Sequence, residues 1–338
     1  MRSLVTGGAG FIGCHVADAL LKSGHDVTVL DDLSGGNREN VPVRAKFVQG
    51  SVLDHALIDR LFKENRFDYV FHLAAYAAEG LSHFIKRFNH ENNLIGSVNL
   101  INASVNHNVK RFIFTSSIAV YGASQMPAVE TTQPRPEDSY GIAKYAVEME
   151  LEATHRMFGL DYTVFRPHNV YGENQNIGDR YRNVIGIFMN QILQHQPMTI
   201  FGDGSQTRAF SYIDDVAPYI ARSADLPAAK NQVINIGADT PYSLNDLARQ
   251  IAAAMGVKPE TVHLPARNEV LHAFSSHDKA RRIFGDHAAV PLEKGLSRMA
   301  AWVKQVGSKQ SKPFKGIEIP KNLPPSWAHA TKETSDVA

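Results

Sequence analysis

The sequence predicts an α/β fold, namely a doubly wound parallel sheet followed by a smaller mixed C-terminal lobe. Continuous apolar runs alternate with helical patterns through the first half of the 338-residue chain. Such runs are typical of parallel strands that are covered on both faces. After about residue 169 the alternation loosens, and short strands mix with helices.

The predicted strands of the first half are the apolar runs at residues 3–5, 27–31, 46–48, 69–73, 111–115 and 162–165. Helices are predicted between them at residues 11–23, where Gly24 provides the stop, and at 55–64, 91–106 and 139–157. The second half carries predicted strands at 198–201, 233–236 and 262–264, and helices at 183–194, 244–255 and 292–305.

These patterns divide the chain into three parts. We expect a sheet domain at residues 1–168, a smaller lobe at 169–307 and a polar, proline-bearing C-terminal tail at 308–338. The last dozen residues are expected to be disordered or to lie on the surface.

Composition excludes several classes of protein. Lys and Arg number 35 against 34 Asp and Glu, so we expect no nucleic-acid partner. Cys14 is the only cysteine, which excludes an intramolecular disulfide and a thiolate zinc cluster. No apolar run approaches the roughly 18 residues of a membrane span. Because the first predicted strand begins at about Arg2, we expect no signal peptide. We expect a soluble cytoplasmic protein without a membrane partner, and the 15 histidines suggest no metal site.

A glycine-rich turn joins the first predicted strand to the first predicted helix. Gly8, Gly10 and Gly13 form a G-x-G-x-x-G pattern, with Gly7 as an extra glycine. Glycines there let the backbone approach a pyrophosphate, and the free N–H groups of the helix N-terminus attract its charge. The turn therefore predicts a Rossmann-type dinucleotide site.

Two acids follow at the end of the second predicted strand. A carboxylate at Asp31 accepts hydrogen bonds from the adenine ribose and repels a 2′-phosphate, and Asp32 adds a second negative charge. The pair favours NAD over NADP, although Arg38 in the same loop favours the opposite choice. Ala74 and Ala75 end the fourth strand, where small side chains leave room for the cofactor; plain packing explains them equally well.

A second set of residues is suited to proton transfer. Tyr140 and Lys144 are spaced i, i+4 and share one face of a predicted helix. An ammonium beside the phenol would lower its pKa from about 10, and oxidised nicotinamide would lower it further. Ser117 lies at the carboxyl end of a strand, the edge where open α/β sheets bind ligands. Together with the glycine turn, these residues predict a redox enzyme for a hydroxyl-bearing substrate.

These motifs resemble those of the extended short-chain dehydrogenase/reductase family, and within it the NAD-dependent nucleotide-sugar epimerase/dehydratase group, closest to the UDP-hexose 4-epimerases. The resemblance runs from residue 1 to about residue 305. It is carried by residues 6–13, 31–33, 72–75, 92–93, 115–122, 139–144, 166–172 and 201–208.

The resemblance implies roles for individual residues. Tyr140 would be the base, Lys144 would hold the nicotinamide ribose, and Ser117 would assist at the sugar hydroxyl. Ser51 stands where the family usually has an aspartate that binds the adenine amine. The implied NAD-binding set is Gly7, Gly10, Phe11, Ile12, Asp31, Asp32, Ser51, Val52, Leu73, Ala74, Ala75, Asn92, Tyr140, Lys144 and Pro167. Helices 91–106 and 139–157 would pair with a second subunit as the four-helix bundle of a homodimer.

The implied substrate is a UDP-sugar. Asn169 would bind the sugar nucleotide, and the helix start at Asn183 and Val184 is suited to a diphosphate. Arg208 and Arg267 match the two arginines that the family uses on the diphosphate. Thr199 and Phe201 would flank the nucleobase.

The residues after Ser117 narrow the reaction. The related dehydratases and decarboxylases carry acids there, and a 3,5-epimerase uses a cysteine, whereas this chain has Ile118 and Ala119. The expected reaction is epimerisation at C4 through a 4-keto sugar, with UDP-glucose and UDP-galactose as the pair. The close alternative is a UDP-glucuronate 4-epimerase, suggested by Arg180, Arg182 and the unusual segment 76–88, or another nucleotide-sugar oxidoreductase. A non-catalytic dinucleotide sensor is the alternative outside enzymes.

Overall fold

The computed structural model describes residues 1–267, 270–286, 288–311 and 314–328. The strands of these ranges are β1 Arg2–Thr6, β2 Asp26–Asp31, β3 Lys46–Gln49, β4 Tyr69–His72, β5 Arg111–Thr115, β6 Asp161–Pro167, β7 Val170–Tyr171, β8 Met198–Phe201, β9 Thr207–Ala209, β10 Ser211–Tyr212, β11 Gln232–Ile236, β12 Pro241–Ser243, β13 Thr261–Leu264 and β14 His272–Ala273.

The α-helices of the same ranges are α1 Phe11–Lys22, α2 His55–Asn65, α3 Glu79–Ser82, α4 Lys86–His90, α5 Gly96–Asn106, α6 Ser139–Phe158, α7 Val184–Leu193, α8 Ala217–Arg222, α9 Leu244–Met255, α10 Asp278–Phe284, α11 Leu292–Val306 and α12 Pro325–Ala328. A π-helical turn, Glu91–Ile95, joins α4 to α5.

A seven-stranded sheet with the order β11-β6-β5-β4-β1-β2-β3 forms the centre of the fold. All of its neighbouring strands run parallel. Alternate residues of β1 point to opposite faces, so Val5 joins one apolar cluster and Leu4 the other. The strand order reverses between β1 and β4, which opens a crevice at their carboxyl ends. The predicted doubly wound sheet is confirmed.

Local signals explain where the long helices begin and end. The carboxylate of Asp54 accepts the N–H of Leu57 at 2.9 Å and caps α2. Asp138 accepts the N–H of Gly141 at 2.9 Å and caps α6, which ends at Gly159 with φ +74°. Because the cap fixes the start of α6, it also fixes the helix face that carries Tyr140 and Lys144.

One strand was assigned to the wrong part of the chain. Residues 233–236 were expected in the smaller lobe, but β11 pairs with β6 and completes the large sheet. The chain leaves the sheet after β6, forms part of the lobe, and returns. Short apolar strands give no sequence signal of the sheet that they join. The expected boundary at residues 168 and 169 therefore does not separate two sheets.

The smaller lobe has short sheets of its own. β12, β9 and β14 form one, and β8 pairs with β13. Helices α7, α9 and α11 pack together beside them. This lobe lies over the carboxyl ends of the large sheet and confirms the expected smaller mixed region.

The C-terminal tail differs from the expectation. Trp327 is only 4% exposed and packs with Ala78, Leu81 and Ile85. The expected surface position of the last dozen residues is therefore wrong for Trp327, because its ring is covered by the apolar segment 76–88; residues 329–338 lie outside the described ranges. Within those ranges, no helix is long and apolar enough to cross a membrane.

Candidate active site

A cavity of about 1750 Å³ lies at the carboxyl ends of the large sheet, between the sheet and the smaller lobe. A site for one small molecule usually measures roughly 300–1,000 Å³. The cavity therefore has room for two large ligands side by side. Its walls include the glycine turn, the ends of β2, β4 and β5, the start of α6 and the lobe strands β8 and β9.

The glycine turn presents an uncapped helix N-terminus to this cavity. Gly10 is the N-cap of α1, and no side chain caps it. Gly7 has φ +69°, and a Cβ there would lie 2.6 Å from the Ala74 backbone nitrogen. A Cβ on Gly13 would lie 2.0 Å from the Gly7 carbonyl oxygen. The turn therefore needs glycine at both positions, and it leaves backbone N–H groups available to a pyrophosphate.

Asp31 ends β2 at the cavity wall. Its carboxylate accepts the N–H groups of Ala9 at 3.0 Å and Leu33 at 2.8 Å. Burial raises the pKa of Asp31, and these two hydrogen bonds oppose the rise. Asp32 is exposed and accepts the N–H of Ser34 at 2.9 Å. The two acids form a negative edge where an adenine ribose is expected.

The remaining positions of the expected NAD-binding set lie around the same cavity, with one exception. Phe11, Ile12, Val52, Leu73, Ala74, Ala75, Asn92 and Pro167 line it. The Ser51 hydroxyl instead accepts the N–H of Leu53 at 3.2 Å, and the wall there is formed by its neighbours Gly50 and Val52. The expected contact of Ser51 with the adenine is therefore not supported by its side chain, which is turned to its own backbone.

The three expected catalytic residues converge on the cavity. Ser117 follows β5, and its hydroxyl accepts the N–H of Ala119 at 3.1 Å. Tyr140 lies in the first turn of α6, with a side-chain hydrogen bond to Ser117. Lys144, one turn later, donates to the Thr115 carbonyl at 2.8 Å. Their side chains are all buried, so water is largely excluded from the proton-transfer site.

Burial governs the charge of this group. It raises the pKa of Tyr140 above the usual value, and the charge of Glu79 adds to the rise, whereas Arg182 opposes it. Burial also lowers the pKa of Lys144 to about 7, with Glu148 opposing. The expected lowering of the Tyr140 pKa by Lys144 is not found, since burial in one pocket disfavours the charged forms of both residues.

An ion pair beneath the site positions its surroundings. Glu148 and Arg166 form a buried, doubly hydrogen-bonded pair, and Ser116 donates to Glu148. Arg166 also donates to the Tyr121 hydroxyl at 2.8 Å. This network ties α6 to the ends of β5 and β6, and sequence reasoning did not single it out.

The expected substrate residues line the other half of the cavity: Asn169, Asn183, Val184, Thr199, Phe201, Arg208 and Arg267. Asn169 donates to the Ala209 carbonyl at 3.1 Å, and Arg208 donates to the carbonyls of Val270 and Leu271. The guanidinium of Arg267 lies 3.7 Å from the centre of the Phe201 ring. The two arginines thus bring positive charge to the side of the cavity opposite Asp31.

Several functional positions were missed from the sequence. The buried Asn93 holds the backbone of Tyr76 through hydrogen bonds of 2.8 and 3.0 Å. Glu79 lies close enough to raise the pKa of Tyr140. Residues near the C-terminus, among them Lys321, Leu323 and Trp327, also line the cavity. The only available signal was the unusual, aromatic character of residues 76–88.

Comparison with known proteins identifies the family. The NAD dependent epimerase/dehydratase family matches residues 3–237. A putative UDP-glucose 4-epimerase of Methanocaldococcus jannaschii is 34% identical over 307 residues, which cover 89% of this chain and 98% of that protein. The chain belongs to the NAD dependent epimerase/dehydratase family.

Solved structures agree with this assignment. UDP-glucose 4-epimerase from Thermotoga maritima, solved with UDP-glucose, has a TM-score of 0.87 at 37% identity and covers 90% of this chain and 99% of its own. UDP-glucuronic acid 4-epimerase from Bacillus cereus, solved with UDP-glucuronic acid and NAD, has a TM-score of 0.83 at 28% identity and covers 90% of this chain and all of its own. The cofactor of the family is NAD, and the uncapped glycine turn and the carboxylate of Asp31 fit it.

Proposed function

We propose that this protein is an NAD-dependent 4-epimerase of UDP-hexoses, with UDP-glucose and UDP-galactose as its pair. The observation that carries the proposal is the convergence of Ser117, Tyr140 and Lys144 on one cavity with the glycine turn. A dinucleotide-binding turn alone is common to many folds, but a buried proton-transfer group beside it is a requirement of hydroxyl oxidation.

The residues of this chain supply the proton chemistry. NAD, held by the glycine turn and Asp31, would supply the acceptor and the later donor of the hydride at C4 of the sugar. Tyr140, in its phenolate form, would take the proton of the 4-hydroxyl and later return it to the 4-oxygen, while Ser117 would hydrogen-bond that oxygen. Each turnover therefore ends with tyrosine and cofactor in their starting states, and no other reductant is needed.

The neighbours of Ser117 favour this simplest reaction. Ile118 and Ala119 form the 3-10 turn after Ser117, and both line the cavity. Neither side chain can donate or accept a proton. A dehydration or decarboxylation that needs an acid at this point is therefore disfavoured.

A time course by NMR tests the proposal. Purified protein is mixed separately with UDP-glucose, UDP-N-acetylglucosamine and UDP-glucuronate, without added reductant. We expect UDP-glucose to convert to UDP-galactose faster than the other two convert to their epimers. No conversion in any tube by protein that retains NAD would contradict a 4-epimerase and favour the sensor.

A uronic acid substrate is the second candidate, supported by Arg182. This arginine lies 5.0 Å from the centre of the Tyr76 ring, and its charge lowers the pKa of Tyr140. However, its Nε atom lies 2.6 Å from a carboxylate oxygen of Asp179, which balances its charge. We therefore prefer UDP-glucose to UDP-glucuronate as the substrate. Faster conversion of UDP-glucuronate in the NMR time course would reverse this preference.

We further propose that two copies of the chain pair through helices α5 and α6. Large apolar side chains are exposed on α6 and on the π-helical turn before α5, namely Ile95, Ile142 and Met149. Ile142 and Met149 are seven residues apart and share one helix face. Light scattering is expected to give a dimer for the wild type and a monomer for Met149→Asp. The exposed Val257→Asp, outside these helices, is the control and should remain a dimer.

A further inference from the structure

The C-terminal segment, residues 314–328, lies outside the part of the chain that the family matches, residues 3–237. It is nevertheless packed against the segment 76–88, which follows β4 and leads toward the catalytic cavity. A tail that only covered the surface would make few defined contacts. This segment instead makes both apolar contacts and hydrogen bonds with segment 76–88.

Backbone hydrogen bonds fix the two segments to each other. The carboxylate of Glu318 accepts the N–H groups of Arg87 at 2.8 Å and Phe88 at 2.9 Å, at the start of α4. In return, the N–H groups of Glu318 and Ile319 donate to the Phe84 carbonyl at 2.8 and 3.1 Å. The position of the segment 76–88 therefore depends on the C-terminal segment.

Aromatic contacts add to this attachment. Phe314 lies edge-on to Phe88, with ring centres 5.0 Å apart, and its ring centre is 5.3 Å from that of Tyr76. The buried Trp327 lies edge-on to Tyr181, with ring centres 5.2 Å apart. Edge-on pairs at these distances are favourable beyond the area they bury. Both ends of the C-terminal segment are thus anchored by aromatic rings.

The inner side of the C-terminal segment faces the cavity. Lys321, Leu323, Pro324 and Trp327 line the same cavity as Ser117 and Tyr140. Trp327 also lies 5.5 Å from the guanidinium of Arg267, which in turn lies 3.7 Å from the centre of the Phe201 ring. Trp327 therefore contacts both segment 76–88 and Arg267, the arginine that is expected to bind the diphosphate.

We propose that residues 314–328 form a wall of the sugar-nucleotide subsite, and that Trp327 is a positioning residue that holds segment 76–88 and Arg267 around the substrate. This inference rests on the proposed function. The ring of Trp327 lies against Phe84 and Tyr181 and 5.5 Å from the guanidinium of Arg267, so its loss should affect the sugar nucleotide more than NAD.

The test compares Trp327→Ala with the wild type and with Trp302→Ala. Trp302 is the other tryptophan of the chain and packs in α11 against the core of the lobe, which makes it a matched control. We expect Trp327→Ala to raise KM for UDP-glucose about tenfold, to change the ratio of kcat/KM between UDP-glucose and UDP-glucuronate, and to leave the bound NAD content unchanged. Trp302→Ala should change stability without raising KM.

A second measurement does not depend on folding of Trp327→Ala. Trp302→Phe leaves Trp327 as the only tryptophan, so intrinsic fluorescence reports on the wall alone. Titration with UDP should shift the emission as the nucleotide engages Arg267.

The outcomes separate the two proposals. Suppose that the wild type epimerises UDP-glucose, that Trp327→Ala has an unchanged KM, and that bound UDP does not change the emission. This result would overturn the proposal that residues 314–328 form a wall of the subsite, and it would leave the proposed function intact. A wild type that epimerises none of the three nucleotide sugars would overturn the function, and the wall with it.

Discussion

The ammonium of Lys144 lies 5.8 Å from the centre of the Tyr140 ring and is turned toward the Thr115 carbonyl, to which it donates at 2.8 Å. The helix spacing brings the two side chains to one face of α6, but the hydrogen bond directs the lysine charge to the end of β5. Both groups are buried, and their charges depend on the ligand that fills the cavity.

Replacement of Lys144 by methionine is expected to change how stability depends on pH. Burial lowers the pKa of Lys144 to about 7, whereas an unfolded lysine titrates at about 10.5. Between these values the unfolded chain binds more protons, so the free energy of unfolding of the wild type should rise with pH relative to Lys144→Met. Urea unfolding of cofactor-free protein at about pH 7 and about pH 9.5 measures this difference. A difference that is constant or falls with pH would contradict a buried lysine.

Tyr140→Phe is expected to abolish turnover and preserve binding. Loss of a general acid–base group typically costs about 100- to 10,000-fold in rate. The ring remains, so affinities for NAD and UDP should stay within about twofold of the wild type. Tyr145→Phe, on the same helix, is the matched control and should keep full activity. Retained epimerisation by Tyr140→Phe would disprove the role of this phenol as the base.

Asp31→Asn is expected to change cofactor preference. The amide oxygen can still accept a backbone N–H, but the charge that binds the ribose hydroxyls is lost. Because a hydrogen bond to a charged group contributes about 1.5–3 kcal/mol, NAD should bind about 10- to 100-fold more weakly. The affinity for NADP should fall less, since the substitution also removes the repulsion between the carboxylate and the 2′-phosphate. Calorimetry with both cofactors checks this, and the exposed Asp26→Asn at the other end of β2 is the control. Equal losses of both cofactors would contradict the ribose role.

Arg267→Gln is expected to weaken UDP binding about tenfold, since a charge-assisted contact to the diphosphate is lost. The guanidinium now covers one face of Phe201, so it must shift if a nucleobase stacks there. Calorimetric titration with UDP measures the loss. Arg249→Gln removes an exposed arginine of α9 that is paired with Asp246, and it should leave the affinity unchanged. Equal affinities of the wild type, Arg267→Gln and Arg249→Gln for UDP would show that the diphosphate does not bind at Arg267.

The features that sequence predicted are those encoded locally. The glycine turn, the acid at the end of β2 and the i, i+4 pair of α6 each lie within one element and its neighbour. Sequence alone did not reveal that Glu148 of α6 and Arg166 of β6 pair beneath the site, because an ion pair between a helix and a strand has no local sequence pattern. Nor did it place Trp327, whose apolar partners in segment 76–88 lie more than two hundred residues earlier in the chain. The pKa of Tyr140 also required the structure, since burial determines it.

The late return of β11 to the sheet has a consequence for synthesis on the ribosome. Until residue 236 has emerged, β6 presents an open edge of unpaired backbone groups, although the dinucleotide turn and the catalytic tyrosine are already complete. An uncovered edge strand is a template for pairing with another chain. Slow translation between residues 168 and 232 would therefore prolong the interval in which the nascent protein is most prone to aggregate.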